Sequence, residues 1–370
     1  MAALTVMQLL PALQSGGVER GTLEVAAELV KQGHRALVVS AGGDLVKPLE
    51  ALGAQHITYP IGHKSLLSLR FIPILRHLYQ CHQVDIVHAR SRLPAWLGYG
   101  AWQSLPDSKR PHFVTTAHGL HSVNRYSAIM GAGEAVIAVS QTVQDYLVQQ
   151  LHIPPQKIRV IYRGVDPQQY FPGYHPPAEW LTQWYQQYPQ LYQQPWITLP
   201  GRLTRRKGHL DFLELIQTLN APGKPELWGL IVGGADSKHQ GYQRELEQII
   251  TQQRLPVILT GERADLRNIV ALSRLVLSLS TQPESFGRTV LEALSQGTPV
   301  VGYAHGGVKE ILDTLFPIGA IACGDTASLA QRVSQLLHCP APVPSQHPFT
   351  LQRMLDQTLA LYNQLASHHD

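Results

Sequence analysis

Short apolar runs alternating with helical patterns, twice over, constrain this chain more than any other feature. In the first half, runs at residues 4–10, 35–40, 55–59, 85–88, 112–116, 135–139 and 158–162 are separated by stretches with helical spacing of apolar residues. The rhythm restarts at 196–199, 227–232, 257–259, 275–279 and 299–301, again with helical patterns between. Consecutive strands joined through helices must lie parallel, and a parallel sheet is covered on both faces. The expected class is therefore α/β, with two doubly wound Rossmann-like domains. Such sheets bind ligands at the carboxyl ends of their strands, so chemistry is sought in the loops that follow each run.

The 370 residues suffice for two cores. The expected domains are 1–170, a Pro-, Gln- and Tyr-rich connection at 171–194, a second domain at 195–345, and a C-terminal segment 346–370 ending in an amphipathic helix. No stretch is apolar for long enough to cross a bilayer, and the N-terminus lacks a basic leader. Three cysteines, Cys81, Cys323 and Cys339, form no CxxC pair, which fits a reducing compartment, and the cytoplasm is the expected location. Residues 1–170 hold 15 Lys and Arg against 10 Asp and Glu, whereas the remainder holds 15 against 16. A basic first half suits an anionic partner such as a membrane surface or a phosphorylated glycolipid, with no nucleic acid expected. Residues 65–79, apolar with two arginines, fit a buried packing helix better than a helix lying in a membrane interface.

Within the second half, Ser280-Thr-Gln-Pro-Glu284-Ser285-Phe286-Gly287 leads into a helix carrying Glu292, which Gly297 ends and Pro299 prevents from continuing. Strand, glycine loop and helix start offer unpaired N–H groups and a positive dipole end to an anionic or hydroxyl-rich ligand. The run Gly201-Arg202-Leu-Thr-Arg-Arg-Lys207-Gly208 follows the first strand of the same half, where fixed cations at a helix start can neutralise a diphosphate. Gly16-Gly17-Val-Glu19-Arg20 follows the first strand of the chain without forming GxGxxG, and Val39-Ser40 end the second strand where a dinucleotide enzyme needs an acid. That combination argues against a dehydrogenase. His118 and Arg90 stand at the ends of two further strands, and Arg263 lies in Gly261-Glu-Arg-Ala-Asp265.

Two glutamates with seven residues between them around Ser-Phe-Gly, followed by Glu292-Ala293 and Gly297-x-Pro299-Val300, resemble the signature of the family 4 retaining glycosyltransferases, including those of bacterial lipopolysaccharide and polysaccharide synthesis. The resemblance implies a GT-B fold, its two domains facing across a cleft and its last helix crossing back to the first domain. It implies that Glu284 binds donor-sugar hydroxyls, helped by the loop around Ser285, Phe286 and Gly287, and that Glu292 holds the nucleotide ribose. By the same resemblance Arg202 and Lys207 bind the donor diphosphate, His118 approaches the sugar, Arg263 lies near the base, and Gly16 and Gly17 allow close approach of ligand. Glu19 and Arg90 are weaker candidates for the acceptor pocket. The chain departs from the family at Arg163-Gly164, where Asn more often precedes Gly.

The expectation is a retaining transferase moving a sugar from a nucleotide-sugar donor, a UDP-sugar by preference, to a cell-surface glycan or glycolipid at the cytoplasmic face of the inner membrane. The chain contains no Asp-x-Asp, so neither a metal nor another cofactor is expected, and Arg202 and Lys207 carry the charge of the leaving phosphate. No carboxylate nucleophile presents itself, which favours attack of the acceptor hydroxyl from the face the phosphate leaves. A nucleotide-sugar epimerase on the same frame and a non-catalytic nucleotide- or carbohydrate-binding protein remain open as alternatives.

Overall fold

The computed structural model describes residues 3–14, 16–220, 227–236 and 239–367. The chain divides into two units, residues 1–162 with 352–370, and residues 163–351.

In the first unit seven strands form one sheet: β1 (Thr5–Leu9), β2 (Arg35–Ser40), β3 (Gln55–Thr58), β4 (Ile86–Ala89), β5 (His112–Ala117), β6 (Ala135–Ala138) and β7 (Ile158–Val160), ordered β3-β2-β1-β4-β5-β6-β7. Every pairing is parallel. All residues of β1, β4, β5 and β6 are buried, the pattern of strands covered on both faces. Met7, Leu9, Leu37, Val87 and Phe113 meet Phe71, Leu75, Leu78 and Tyr79 from the helix Phe71–Cys81 in one core.

The C-terminal helix Leu351–Ala366 packs in this first unit, far in sequence from the strands it joins. Its Tyr362, fully buried, shares a hydrogen bond of 2.6 Å with His88 Nδ1, and Thr116 Oγ1 holds the other ring nitrogen at 2.6 Å. Burial and the nearby Arg90 keep His88 well below its ordinary pKa of 6.5, so the ring is neutral and can donate to one hydroxyl while accepting from the other.

The second unit has six parallel strands: β8 (Trp196–Pro200), β9 (Trp228–Val232), β10 (Val257–Gly261), β11 (Leu275–Ser278), β12 (Val300–Tyr303) and β13 (Ala320–Ile321), in the order β10-β9-β8-β11-β12-β13. The two-residue β13 carries no readable apolar run, and only its pairing with Gly302 and Tyr303 defines it. A parallel bridge between Val165 and Thr350 ties the beginning of this unit to its end, and Gly164 lies so close to Thr350 that a Cβ there would meet its backbone at 2.2 Å.

The stretch expected as a connection at 171–194 belongs to this unit. It contains the helix Ala178–Gln187, and Trp184, Tyr188 and Leu191 are buried against Trp196, Leu230 and Ile269. Aromatic rings spaced four apart on a helix make a packing face, and that outweighs the Gln and Pro content that read as a linker.

Residues 65–79 also differ from expectation. Phe71–Cys81 is the buried helix, but Leu66–Arg70 before it is a turn of 3₁₀-helix whose leucines face outward.

Candidate active site

Strands β8 and β11 are neighbours in the second sheet, so the loops at their carboxyl ends lie side by side. The loop after β8 forms the 3₁₀ turn Arg205–Lys207, and the loop after β11 runs from Leu279 to Gly287, where the helix Arg288–Ser295 begins. They are held together by backbone. Thr281 N donates to Arg206 O at 2.7 Å, and a Cβ on Gly208, whose φ is +72°, would strike Leu279 O at 2.1 Å. Glycine at 208 is therefore required by its left-handed backbone and by the approach of the second loop.

This contact brings Lys207 and Glu284 together across 77 residues of sequence, with Lys207 Nζ donating to Glu284 Oε1 at 2.5 Å. Ser280 Oγ donates to the same oxygen at 2.8 Å. Each side chain of the ion pair is about one-fifth exposed, so the pair is shielded yet reachable from solvent. Burial pushes the Glu284 carboxyl up, but Lys207 in direct contact, the Ser280 hydroxyl and the Arg206 charge outweigh it and hold the carboxyl below its ordinary 4.5. Glu284 is thus an anion at neutral pH, with Oε2 outside these two bonds.

The far side of the same loop is fixed by the start of the helix Gly306–Leu315, which follows β12. Gly307 N donates to Glu284 O at 2.8 Å, and His305 Nε2 lies 2.5 Å from Ser280 O. Gly306 and Gly307 are pressed against the backbone of Glu284, Ser285 and Phe286. The Phe286 ring is buried edge-on against Phe349 at 6.2 Å, which anchors the loop from below.

Other expected residues are placed as follows. Glu292 sits on the helix after the loop and accepts from Arg288 Nε at 2.9 Å, so each glutamate of the pair has its own cation. Arg202 is exposed, and its side chain forms no ion pair among the described residues. Arg263 grips Asp265 through Nε at 2.8 Å and a terminal nitrogen at 2.6 Å, with its guanidinium over the Trp184 ring at 5.6 Å. Asp265 stands at the start of the helix Leu266–Leu272, yet its side chain goes to Arg263 and to Trp180 Nε1 and makes no cap bond. The exposed Arg205 pairs with Glu245.

In the first unit, the Gly16–Gly17 turn, Arg90 and His118 follow β1, β4 and β5, at the carboxyl edge of that sheet. Gly16 precedes the helix Gly17–Lys31, and a Cβ on it would meet Glu19 Oε2 at 2.2 Å, so the carboxylate lies over the turn. Arg90 is buried and donates to Gln8 Oε1 at 2.5 Å. Its pKa is lowered by burial, partly countered by Tyr362, Glu24 and Glu19. Arg90 is thus built into the interior of the unit, in a polar layer with Gln8. His118 is half-buried in the loop after β5.

Sequence reasoning passed over His305, Gly306 and Gly307. The available signal was a strand ending in Ala-His-Gly-Gly before a helix, the same strand, glycine and helix pattern as at Gly287.

Two doubly wound parallel sheets, with a cation and a carboxylate paired at the carboxyl ends of adjacent strands in the second, define the class of protein: a GT-B fold. Residues 15–169 match the family model described as Glycosyltransferase Family 4, and residues 184–350 match the one described as Glycosyl transferases group 1. The chain belongs to the family 4 glycosyltransferases of GT-B fold. It is 24% identical over 315 residues to one of the subunits of the human phosphatidylinositol N-acetylglucosaminyltransferase, covering 80% of this chain and 61% of that one. It is also 24% identical over 341 residues to the N-acetyl-alpha-D-glucosaminyl L-malate synthase of Bacillus anthracis, covering 88% and 85%. A solved glycosyltransferase from Rickettsia africae superposes with a TM-score of 0.84 at 29% identity over 99% of both chains. HepE of Anabaena, solved with UDP and glucose, superposes at 0.81 with 22% identity over 98% of this chain and all of that one, a likeness of fold.

Proposed function

We propose that this glycosyltransferase takes its sugar from a nucleotide-sugar, a UDP-sugar by preference, and transfers it with retention to a hydroxyl of a cell-surface glycan or glycolipid. The observation that carries the proposal is the Lys207–Glu284 contact. A diphosphate leaving group needs a fixed cation, and a sugar needs a fixed carboxylate to accept from its hydroxyls; here the two are adjacent. Lys207 has three N–H donors and gives one to Glu284, so it can turn others to the phosphate oxygens without abandoning its partner. The exposed Arg202 on the same loop adds a bidentate cation.

In this reading the donor's phosphate accumulates charge as the glycosidic bond breaks, and Lys207 and Arg202 stabilise that charge without a metal. Glu284 orients the sugar through Oε2, and Glu292 takes the ribose. The acceptor hydroxyl attacks on the face from which the phosphate departs and gives its proton to that phosphate. A relative named for phosphatidylinositol and a fold neighbour crystallised with UDP and glucose support a lipid-linked acceptor and a uridine donor. The exposed, unbridged Cys81, Cys323 and Cys339 agree with a reducing, cytoplasmic setting.

The test is a calorimetric titration of UDP and a panel of nucleotide-sugars in chelator, followed by turnover and NMR of the product's anomeric centre. Lys207→Ala is expected to lower kcat by about 100-fold and Glu292→Ala mainly to weaken UDP binding. Wild-type turnover in both variants, or a product of inverted configuration, refutes the reading.

A further inference from the structure

Between the edge strand β3 and the helix Phe71–Cys81 the chain is built inside out. Ser68, the polar residue of the 3₁₀ turn Leu66–Arg70, is 3% exposed, whereas Leu66, Leu67 and Leu69 are 86%, 71% and 56% exposed. A turn that merely covered the protein would place its leucines inward and its serine outward. The inversion is held in place rather than left to chance. Ser68 Oγ donates to His63 O at 2.6 Å, Ser65 Oγ caps the turn by accepting from Leu67 N at 3.2 Å, and Phe71 is buried directly behind.

The charges nearest the three leucines in sequence have one sign. Lys64 and Arg70 flank them in the chain, Arg76 follows in the next helix, all three are exposed, and no Asp or Glu occurs anywhere between Glu50 and Asp85. The position within the unit is also definite. The segment leaves the carboxyl end of β3, and Gly62 approaches Pro11 so closely that a Cβ would meet its Cβ at 2.4 Å. Pro11 follows β1, so the leucines are displayed at the same sheet edge as the Gly16–Gly17 turn.

We infer that residues 64–70 are a membrane-docking element, in which Leu66, Leu67 and Leu69 enter the headgroup and acyl boundary of a bilayer and Lys64, Arg70 and Arg76 pair with anionic phospholipid headgroups. Exposed apolar side chains flanked in the chain by cations match an anionic bilayer surface, and a protein partner of opposite charge would leave three leucines to be covered by an acidic face. Docking at this edge brings a lipid-borne acceptor to the carboxyl ends of the first sheet. No helix among the described residues is long and apolar enough to cross a membrane, so the attachment is peripheral and reversible.

The experiment is flotation of the full chain with phosphatidylcholine vesicles, with and without phosphatidylglycerol, with UDP-induced thermal shift measured in parallel. The wild type is expected to bind the anionic vesicles at least tenfold better than the neutral ones, and the combined Leu66→Ser, Leu67→Ser, Leu69→Ser variant to lose tenfold or more. Arg70→Gln with Arg76→Gln is expected to weaken binding and flatten its salt dependence. The melting temperature and UDP response of the leucine variant should equal those of the wild type, which separates a lost surface from a lost fold. A wild type that does not float, a leucine variant that floats equally well, or a wild-type dimer that the leucine changes convert to monomer without any vesicle binding overturns the inference. Loss of the UDP response in every protein with flotation intact would count against the donor reading alone.

Discussion

Gly307→Ala is the sharpest probe of the second unit, because it changes one methyl group and touches no charged residue. A Cβ at 307 would stand 2.4 Å from Phe286 Cα, 2.7 Å from Phe286 N and 2.7 Å from Ser285 O. All three are backbone atoms and cannot rotate away. Ordinary contact begins at 3.4 Å, so the loop must retreat by about 1 Å, carrying Glu284 and Ser285 with it. The same movement stretches the 2.8 Å bond from Gly307 N to Glu284 O, and with it the register of the Glu284 carboxylate against Lys207. Overpacking of this kind costs about 1–3 kcal/mol, and a displacement near 1 Å at a reacting group costs about 100-fold in rate. The expected result is a kcat reduced about 100-fold in a protein that still folds, followed by initial-rate turnover of the nucleotide-sugar and by chemical denaturation. Gly241→Ala is the matched control. It lies in the helix Gln240–Gln253 with no atom within 4 Å of the added Cβ, and should leave turnover alone and, if anything, raise stability by up to about 1 kcal/mol. Wild-type turnover in Gly307→Ala, or a loss no larger than the unfolded fraction explains, would show that the position of the 280–287 loop does not govern the reaction.

Acid should weaken the fold through its buried histidines. The His209 ring has no exposed surface, and burial, reinforced by Lys207, pushes its pKa down to about 4 from 6.5. The unfolded chain therefore binds more protons, and stability present above pH 6.5 is lost as pH falls towards 4, by roughly 3 kcal/mol for this ring. Denaturation midpoints across that range should fall less steeply in His209→Gln, while His88, shifted in the same direction, leaves part of the slope. Tyr362→Phe removes the hydroxyl that pairs with His88 Nδ1 and should cost about 1–2 kcal/mol, with faster proteolysis of the C-terminal helix as the second readout. Arg263→Ala leaves Asp265 without its bidentate partner and Trp184 without its cation, and is expected to lower stability by about 1–3 kcal/mol in urea titrations. An unchanged urea midpoint would deny Arg263 its structural part.

The glutamate pair illustrates how far the site could be read. Seven residues between Glu284 and Glu292, with a glycine before the helix, placed both near the carboxyl end of a strand. What spacing could not supply is the partner of each: Lys207 for Glu284 and Arg288 for Glu292. The first is a tertiary fact, made by two strands that are adjacent in the sheet while the paired residues lie 77 apart in sequence. The second is a helical i,i+4 pair that was present in the sequence and unremarked. Arg90, expected at an acceptor pocket, is buried against Gln8, and Arg263, expected near a base, is committed to Asp265 and Trp184. Charge type was legible at these positions; orientation was not.

Local pattern by itself determined the parallel sheets, because strand and helix periodicities are properties of neighbouring residues and a β–helix–β connection admits one direction of pairing. It equally determined where ligands could sit, since carboxyl ends of strands and glycine-started helices follow from chain direction. The strand order, the burial of Trp184, Tyr188 and Leu191 and the outward leucines at 66, 67 and 69 were decided only by tertiary contact. Each depends on which surface a segment meets from elsewhere in the chain, and that surface exists only once the chain has folded.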